Sequence, residues 1–117
     1  MRKIVEKYRF ASTTKRFWAF YYTIPTYHNP AGILFSAETS QQLIALSRQL
    51  DFLIVCDDCY NLLTYRGDEP PKRLIAYDDI TDADYRGTVI SNGSFSKLIA
   101  PGIRVGVSAT TKPYFSL

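Results

Sequence analysis

Apolar and polar positions divide the chain into four strand-like runs and one amphipathic helix. "FWAFYYTIP" (17–25) is aromatic and β-branched and is closed by proline, which predicts a buried strand. "TYHNPAG" follows as a turn, punctuated by Asn29-Pro30 and Gly32. Ser36 is placed to cap a helix over 37–50 with Glu38 in its first turn. Leu43, Ile44, Leu46 and Leu50 then share one face at helical spacing. "FLIVC" (52–56) is a continuous apolar run suited to a strand buried on both faces, and it breaks off at Asp57 and Asp58. "YRGDEPPKR" (65–73) reads as a surface loop, and the weakly patterned stretch over 72–80 as a short helix or turn. "TVIS" (88–91) predicts a third strand and "IRVGVSA" (103–109), with its alternating period, a fourth. Strand, helix, strand is a βαβ unit, so the fold class is α/β with a sheet parallel at least in part.

In open α/β sheets, ligands bind in the crevice outside the carboxyl ends of the strands. The first strand runs out toward Asn29, the second into Asp57, and the third into Ser94, Ser96 and Lys97. Three parallel strands therefore bring an amide, a carboxylate, hydroxyls and an amine to one edge. Taken singly, each has a plain structural reading. Lys97 after a serine-rich turn reads as a solvated lysine, and Asp57 as a loop-starting residue. Tyr60 reads as a packing residue with its hydroxyl outward, and Asn29 as a turn residue. Arg104, between Ile103 and Val105, is harder to place this way. A guanidinium keeps its proton, so within a strand it needs an anion or a route to solvent.

Composition narrows the partners. A chain of 117 residues is at most one small domain, and 46% apolar with 21% charged residues is ordinary for a globular one. No stretch approaches the roughly 18 apolar residues of a membrane helix, so no membrane partner is expected. The formal charge of +3 is concentrated in residues 1–16, where six Lys/Arg face one acid, Glu6. The rest of the chain is mildly acidic, which argues against nucleic-acid binding. The basic, Ser/Thr-containing head raises a mitochondrial presequence, but it has little length before Phe17, and the cytoplasm is the expected compartment. Cys56 and Cys59 form a C-x-x-C, yet His28 is the one histidine and no second cysteine pair exists to complete a zinc site. The two intervening aspartates oppose the lowered thiol pKa of a redox pair. Both read as incidental thiols in a reducing compartment, and no metal is expected.

Taken together, "HNPAG", the D-x-x-Y of 57–60, and "SFSKLIAPGIRVG" resemble, in order and spacing, the pyridoxal-phosphate-dependent aminotransferases of fold type I, class I/II. The likeness runs from about Phe17 to Ala109. It implies part of the three-layer, mostly parallel sheet of the large cofactor-binding domain. It also implies pyridoxal 5'-phosphate as cofactor, and amino-group transfer between an amino acid and a 2-oxo acid. Lys97 resembles the lysine that holds the cofactor as a Schiff base and later moves the substrate's proton. Asp57 resembles the carboxylate that keeps the pyridine nitrogen protonated. Tyr60 and Asn29 resemble the pair that hydrogen-bonds the phenolic oxygen, and Ser94, Ser96 and Arg104 the phosphate cup.

Residues 1–16 and 110–117 match nothing in the pattern, so the cofactor-binding segment is expected over 17–109. Enzymes of this family are several times longer. The upstream phosphate loop, the aromatic residue that stacks on the ring and the small domain's carboxylate-gripping arginine are not represented here. Ala31 stands where threonine is commoner. One helix cannot cover four strands, so an apolar face is expected to lie open. The expected protein is a transaminase of the 2-aminoadipate, kynurenine or aromatic-type group, homodimeric at full length. Lyases and decarboxylases share these motifs. An inactive remnant and the cofactor-sensing domain of a regulator are the alternatives of other classes.

Overall fold

The computed structural model describes residues 16–65 and 69–111. The basic head as far as residue 15, with the presequence reading attached to it, lies outside the described residues. So do the centre of the 65–73 loop and the tail from 112.

Helix α1 (Ala37–Leu50) starts as its sequence dictates. The Ser36 hydroxyl accepts from the Thr39 backbone N–H at 3.0 Å, satisfying one of the unpaired amides of the first turn. Glu38 lies in the first turn and Arg48 in the last, each favourable to the helix dipole. The helix stops at Asp51, whose left-handed backbone (φ 55°, ψ 44°) lets its N–H bond the Ser47 carbonyl. Leu43, Ile44 and Leu50 are buried against the sheet, and Leu46 packs at the margin. Full burial of such side chains is worth about 1.5–3 kcal/mol each.

Among the described residues, four strands form one sheet in the order β1 (Ala19–Thr23), β2 (Phe52–Asp57), β3 (Val89–Ser94), β4 (Gly106–Thr110). β1, β2 and β3 run parallel, with Tyr22 opposite Val55 and Asp57 opposite Asn92. β4 is antiparallel to β3, with Ser94 opposite Gly106. The α/β, mostly parallel architecture agrees with the expectation. Two boundaries differ from it. β3 extends through Asn92, Gly93 and Ser94, polar residues that strand patterning passes over, because β4 supplies their backbone partners. The fourth strand begins at Gly106 rather than at 103. Pro101–Ile103 forms a 3-10 turn and Arg104 adopts a left-handed backbone (φ 56°, ψ 36°). An antiparallel return needs a reversal, and Pro101 with Gly102 and the left-handed Arg104 supplies it. Arg104 is thus an exposed turn residue, not an arginine inside a strand.

Among the described residues, the crossover from β2 to β3 holds no long helix, only a 3-10 turn over Leu74–Tyr77. Charge does the tethering. Arg48, buried at the end of α1, reaches Asp78 at 2.8 Å, Asp82 at 2.9 Å and Asp84 at 2.6 Å. Asp78 is buried too, and its other oxygen accepts from the Thr88 backbone N–H at 2.8 Å, just before β3.

α1 covers one face of the sheet, over Phe52, Ile54, Cys56 and Val89. On the other face Phe20 (72% exposed) and Tyr22 (54%) have no covering layer among the described residues. This is the open apolar face that a single helix cannot close.

Candidate active site

Parallel pairing places the carboxyl ends of β1, β2 and β3 on one edge. Asp57 is the last residue of β2 and points to the open face, since burial along the strand alternates and Cys56 takes the helix side. Its Oδ2 accepts a 2.8 Å hydrogen bond from the Tyr22 hydroxyl of β1. The neighbouring acid, Asp58, has a different task. Its N–H bonds the Asn92 carbonyl at 2.7 Å and its Oδ2 accepts from the buried Ser91 hydroxyl, so it fastens the end of β2 to β3. Burial raises the Asp58 carboxyl above its ordinary pKa, while the Ser91 hydroxyl and Arg73 pull it back.

After Asp58 the chain turns, and Tyr60 receives a long hydrogen bond (3.4 Å) from the Asn29 side chain in the turn beyond β1. Cys59 stands at the centre. Its thiol is pushed up to about 11 by burial and by hydrogen bonding to Asp57, while Tyr60 and Lys97 act in the opposite direction. Asp57, Tyr60 and Lys97 therefore all lie within electrostatic reach of one side chain. Lys97 is exposed, in the turn that follows β3. That turn is folded back on itself by Phe95 N–H to Val105 O at 3.1 Å and Ile99 N–H to Phe95 O at 2.9 Å. Ser96 donates its backbone N–H to the Ser94 hydroxyl at 3.2 Å, so the two serines form one small donor group. A cavity of about 110 Å³ separates this turn from the one after β2, lined by Asp58, Cys59, Ser94, Phe95 and Leu98.

Arg104 is held less closely. Its guanidinium makes a 3.4 Å bond to the Pro101 carbonyl and none to Ser94 or Ser96 among the described residues. Backbone pairing of Val105 with Phe95 nevertheless keeps it beside the serine turn. Both thiols are held protonated: burial raises Cys56 above the ordinary thiol range, and Cys59 is raised as described.

Two residues at this edge escaped the sequence pattern. Tyr22 reads as one aromatic of a core strand, and only the register, Tyr22 opposite Val55, puts it on the face of Asp57. Cys59 reads as an incidental thiol because its neighbours in sequence, not in space, are what spacing reveals.

The chain matches the family profile described as aminotransferase class I and II over residues 23–116. It is 44% identical to aromatic-amino-acid aminotransferase 1 of Thermococcus litoralis, over 80% of this chain and 21% of that protein. It is 36% identical to an HTH-type transcriptional regulator of Bacillus subtilis, over 79% of this chain and 18% of that one. Among solved structures it superposes on the kynurenine aminotransferase of Pyrococcus horikoshii, crystallised with PMP, at a TM-score of 0.67. There the identity is 37%, covering 79% of this chain and 21% of that one. The chain spans about a fifth of the length of these relatives. With a profile match over most of its length, this chain belongs to the aminotransferase class I and II family.

Proposed function

We propose that this chain carries the pyridoxal 5'-phosphate site of a transaminase that moves an amino group from an amino acid to a 2-oxo acid. One observation carries the reading: at one strand edge Asp57 and Tyr60 hydrogen-bond Cys59, and Lys97, from a turn 37 residues beyond Tyr60, lies within electrostatic reach of the same side chain. The donor set fits the cofactor group by group. A pyridinium calls for a carboxylate, a phenolic oxygen for neutral donors, a phosphate for hydroxyls and a cation, and an aldehyde for an amine. When bound, the cofactor would supply an electron sink for charge developing at the substrate's α-carbon.

The chain's own residues do the rest. Asp57 keeps the proton on the ring nitrogen. Tyr60 and Asn29, already in contact, donate to the phenolic oxygen. Ser94, Ser96 and Arg104 bind the phosphate, and Arg104 gives up only a 3.4 Å bond to turn toward it. Lys97, exposed in the turn after β3, would hold the cofactor through its amine and would carry the proton at the substrate's Cα. The names of the relatives support an aromatic or kynurenine-type amino donor, and the full-length protein is a homodimer in this reading. One relative supports a second reading, in which the same cup senses the cofactor for a regulator.

The test is borohydride trapping of pyridoxal phosphate on the chain, followed by peptide mapping, beside Lys97→Ala. A stable adduct at Lys97, lost in the variant, is expected. An adduct scattered over surface lysines, or none on a folded sample, refutes the site. Release of 2-oxo acid from an amino acid separates transaminase from sensor.

A further inference from the structure

We infer that Tyr22 is a positioning residue for the ring-binding carboxylate, a role that rests on the cofactor reading above. Asp57 ends β2, at the point where the strand gives way to a turn, and a carboxylate there has a free χ1 and χ2 unless something holds it. The Tyr22 hydroxyl, on the adjacent strand and 35 residues away in sequence, holds it at 2.8 Å. Register makes this contact reproducible. Tyr22 pairs with Val55, and Val55 shares the open face with Asp57 two residues on.

The chemistry of the donor matters as much as its position. A lysine or arginine at this distance would cancel the charge of Asp57, and a neutralised carboxylate no longer holds a proton on a ring nitrogen. A phenol donates without neutralising. It occupies one of the roughly four acceptor sites of the carboxylate, the Cys59 thiol takes a second, and the rest stay open. The tyrosine stays a donor throughout the working pH range, because hydrogen bonding to Asp57 first, then burial, then the charges of Asp57, Cys59 and Tyr60 raise its pKa. Those are the titratable groups facing it from β2 and the following turn. The geometry gives β1 a direct hand in the site, which its motif residue Asn29 alone does not.

The experiment uses the full chain with pyridoxal phosphate, following the absorbance of the lysine conjugate for wild type, Tyr22→Phe, Asp57→Asn and the double variant. Circular dichroism confirms that each is folded. Tyr22→Phe is expected to weaken cofactor binding on the order of tenfold, the scale of one hydrogen bond to a charged group. In the double variant it is expected to cost nothing beyond Asp57→Asn. That non-additivity separates positioning from a general structural loss. In the absence of cofactor, the Tyr22 titration read by ¹³Cζ NMR should move back down toward the usual tyrosine value in Asp57→Asn. Wild-type affinity in Tyr22→Phe, or additive losses in the double variant, overturns the role of Tyr22 and leaves the cofactor site standing. A wild-type chain that binds no cofactor overturns both.

Discussion

The turn that presents Lys97 and Arg104 is anchored by the β3–β4 ladder, and that ladder depends on two glycines placed diagonally across it. Ser94 pairs with Gly106 and Gly93 with Val107. A Cβ added to Gly106 would stand 3.0 Å from the Gly93 carbonyl oxygen, a backbone atom that cannot rotate away. A Cβ on Gly93 would meet the Val107 Cγ1 methyl at 3.3 Å, a side-chain atom able to yield. Gly106→Ala must therefore push the strands apart by a few tenths of an ångström at the rung nearest the turn. Overpacking of this kind costs about 1–3 kcal/mol. Gly102 makes the opposite case. It lies within the 3-10 turn, outside the left-handed region, and a Cβ there meets nothing within 4 Å. Gly102→Ala restricts the unfolded chain without native strain and is expected to stabilise by about 0.4–1 kcal/mol. Urea unfolding of both variants measures the difference, and pyridoxal phosphate affinity should fall only in Gly106→Ala. Equal stabilities, or a destabilised Gly102→Ala, would show that the close approach of β3 and β4 does not set the position of this turn.

Asp78→Asn removes a buried partner of Arg48 and is expected to destabilise by about 2–4 kcal/mol, somewhat below a fully orphaned buried charge because Asp82 and Asp84 remain. Asp84→Asn, at an exposed carboxylate, should stay within about 1 kcal/mol of wild type in the same denaturation series. Cys59 should alkylate slowly near neutral pH, its rate still climbing as pH approaches about 11, whereas a thiol of ordinary pKa would level off earlier; iodoacetamide kinetics decide. The raised Asp58 carboxyl means that the folded chain holds this proton longer than the unfolded one. Its stability contribution is full below the ordinary carboxylate value of about 3.9 and is lost as pH rises through the folded value. Asp58→Asn should flatten the melting temperature across that window. Ser36→Ala deletes the cap of α1 and should cost about 1 kcal/mol in the same melts.

Much of the framework was legible in one dimension because its causes are local. Ser36, the spacing of Leu43, Ile44 and Leu50, and the apolar run of 52–56 each act within a turn or a strand of their own position. β3 and β4 depart from the sequence pattern at their ends for the complementary reason. Asn92, Gly93 and Ser94 have no strand propensity, and they extend because a distant segment pairs with them. Arg104 shows the same limit. Between isoleucine and valine it looks like a strand residue, yet the reversal needed for an antiparallel return puts it in a left-handed turn.

For the candidate site, the sequence by itself determined the inventory and its order along the chain. Asn29, Asp57, Tyr60, Ser94, Ser96, Lys97 and Arg104 are motif residues whose spacing is covalent and cannot change. Only the tertiary structure decided which atoms meet. The division of labour between Asp57, turned to the open face, and Asp58, buried against Ser91, follows from strand alternation against a helix that covers one side. The contact of Tyr22 with Asp57 follows from register between β1 and β2, a relation between segments 35 residues apart that no local pattern encodes. Chain order sets which groups are available, and the hydrogen-bonded ladder sets the distances between them.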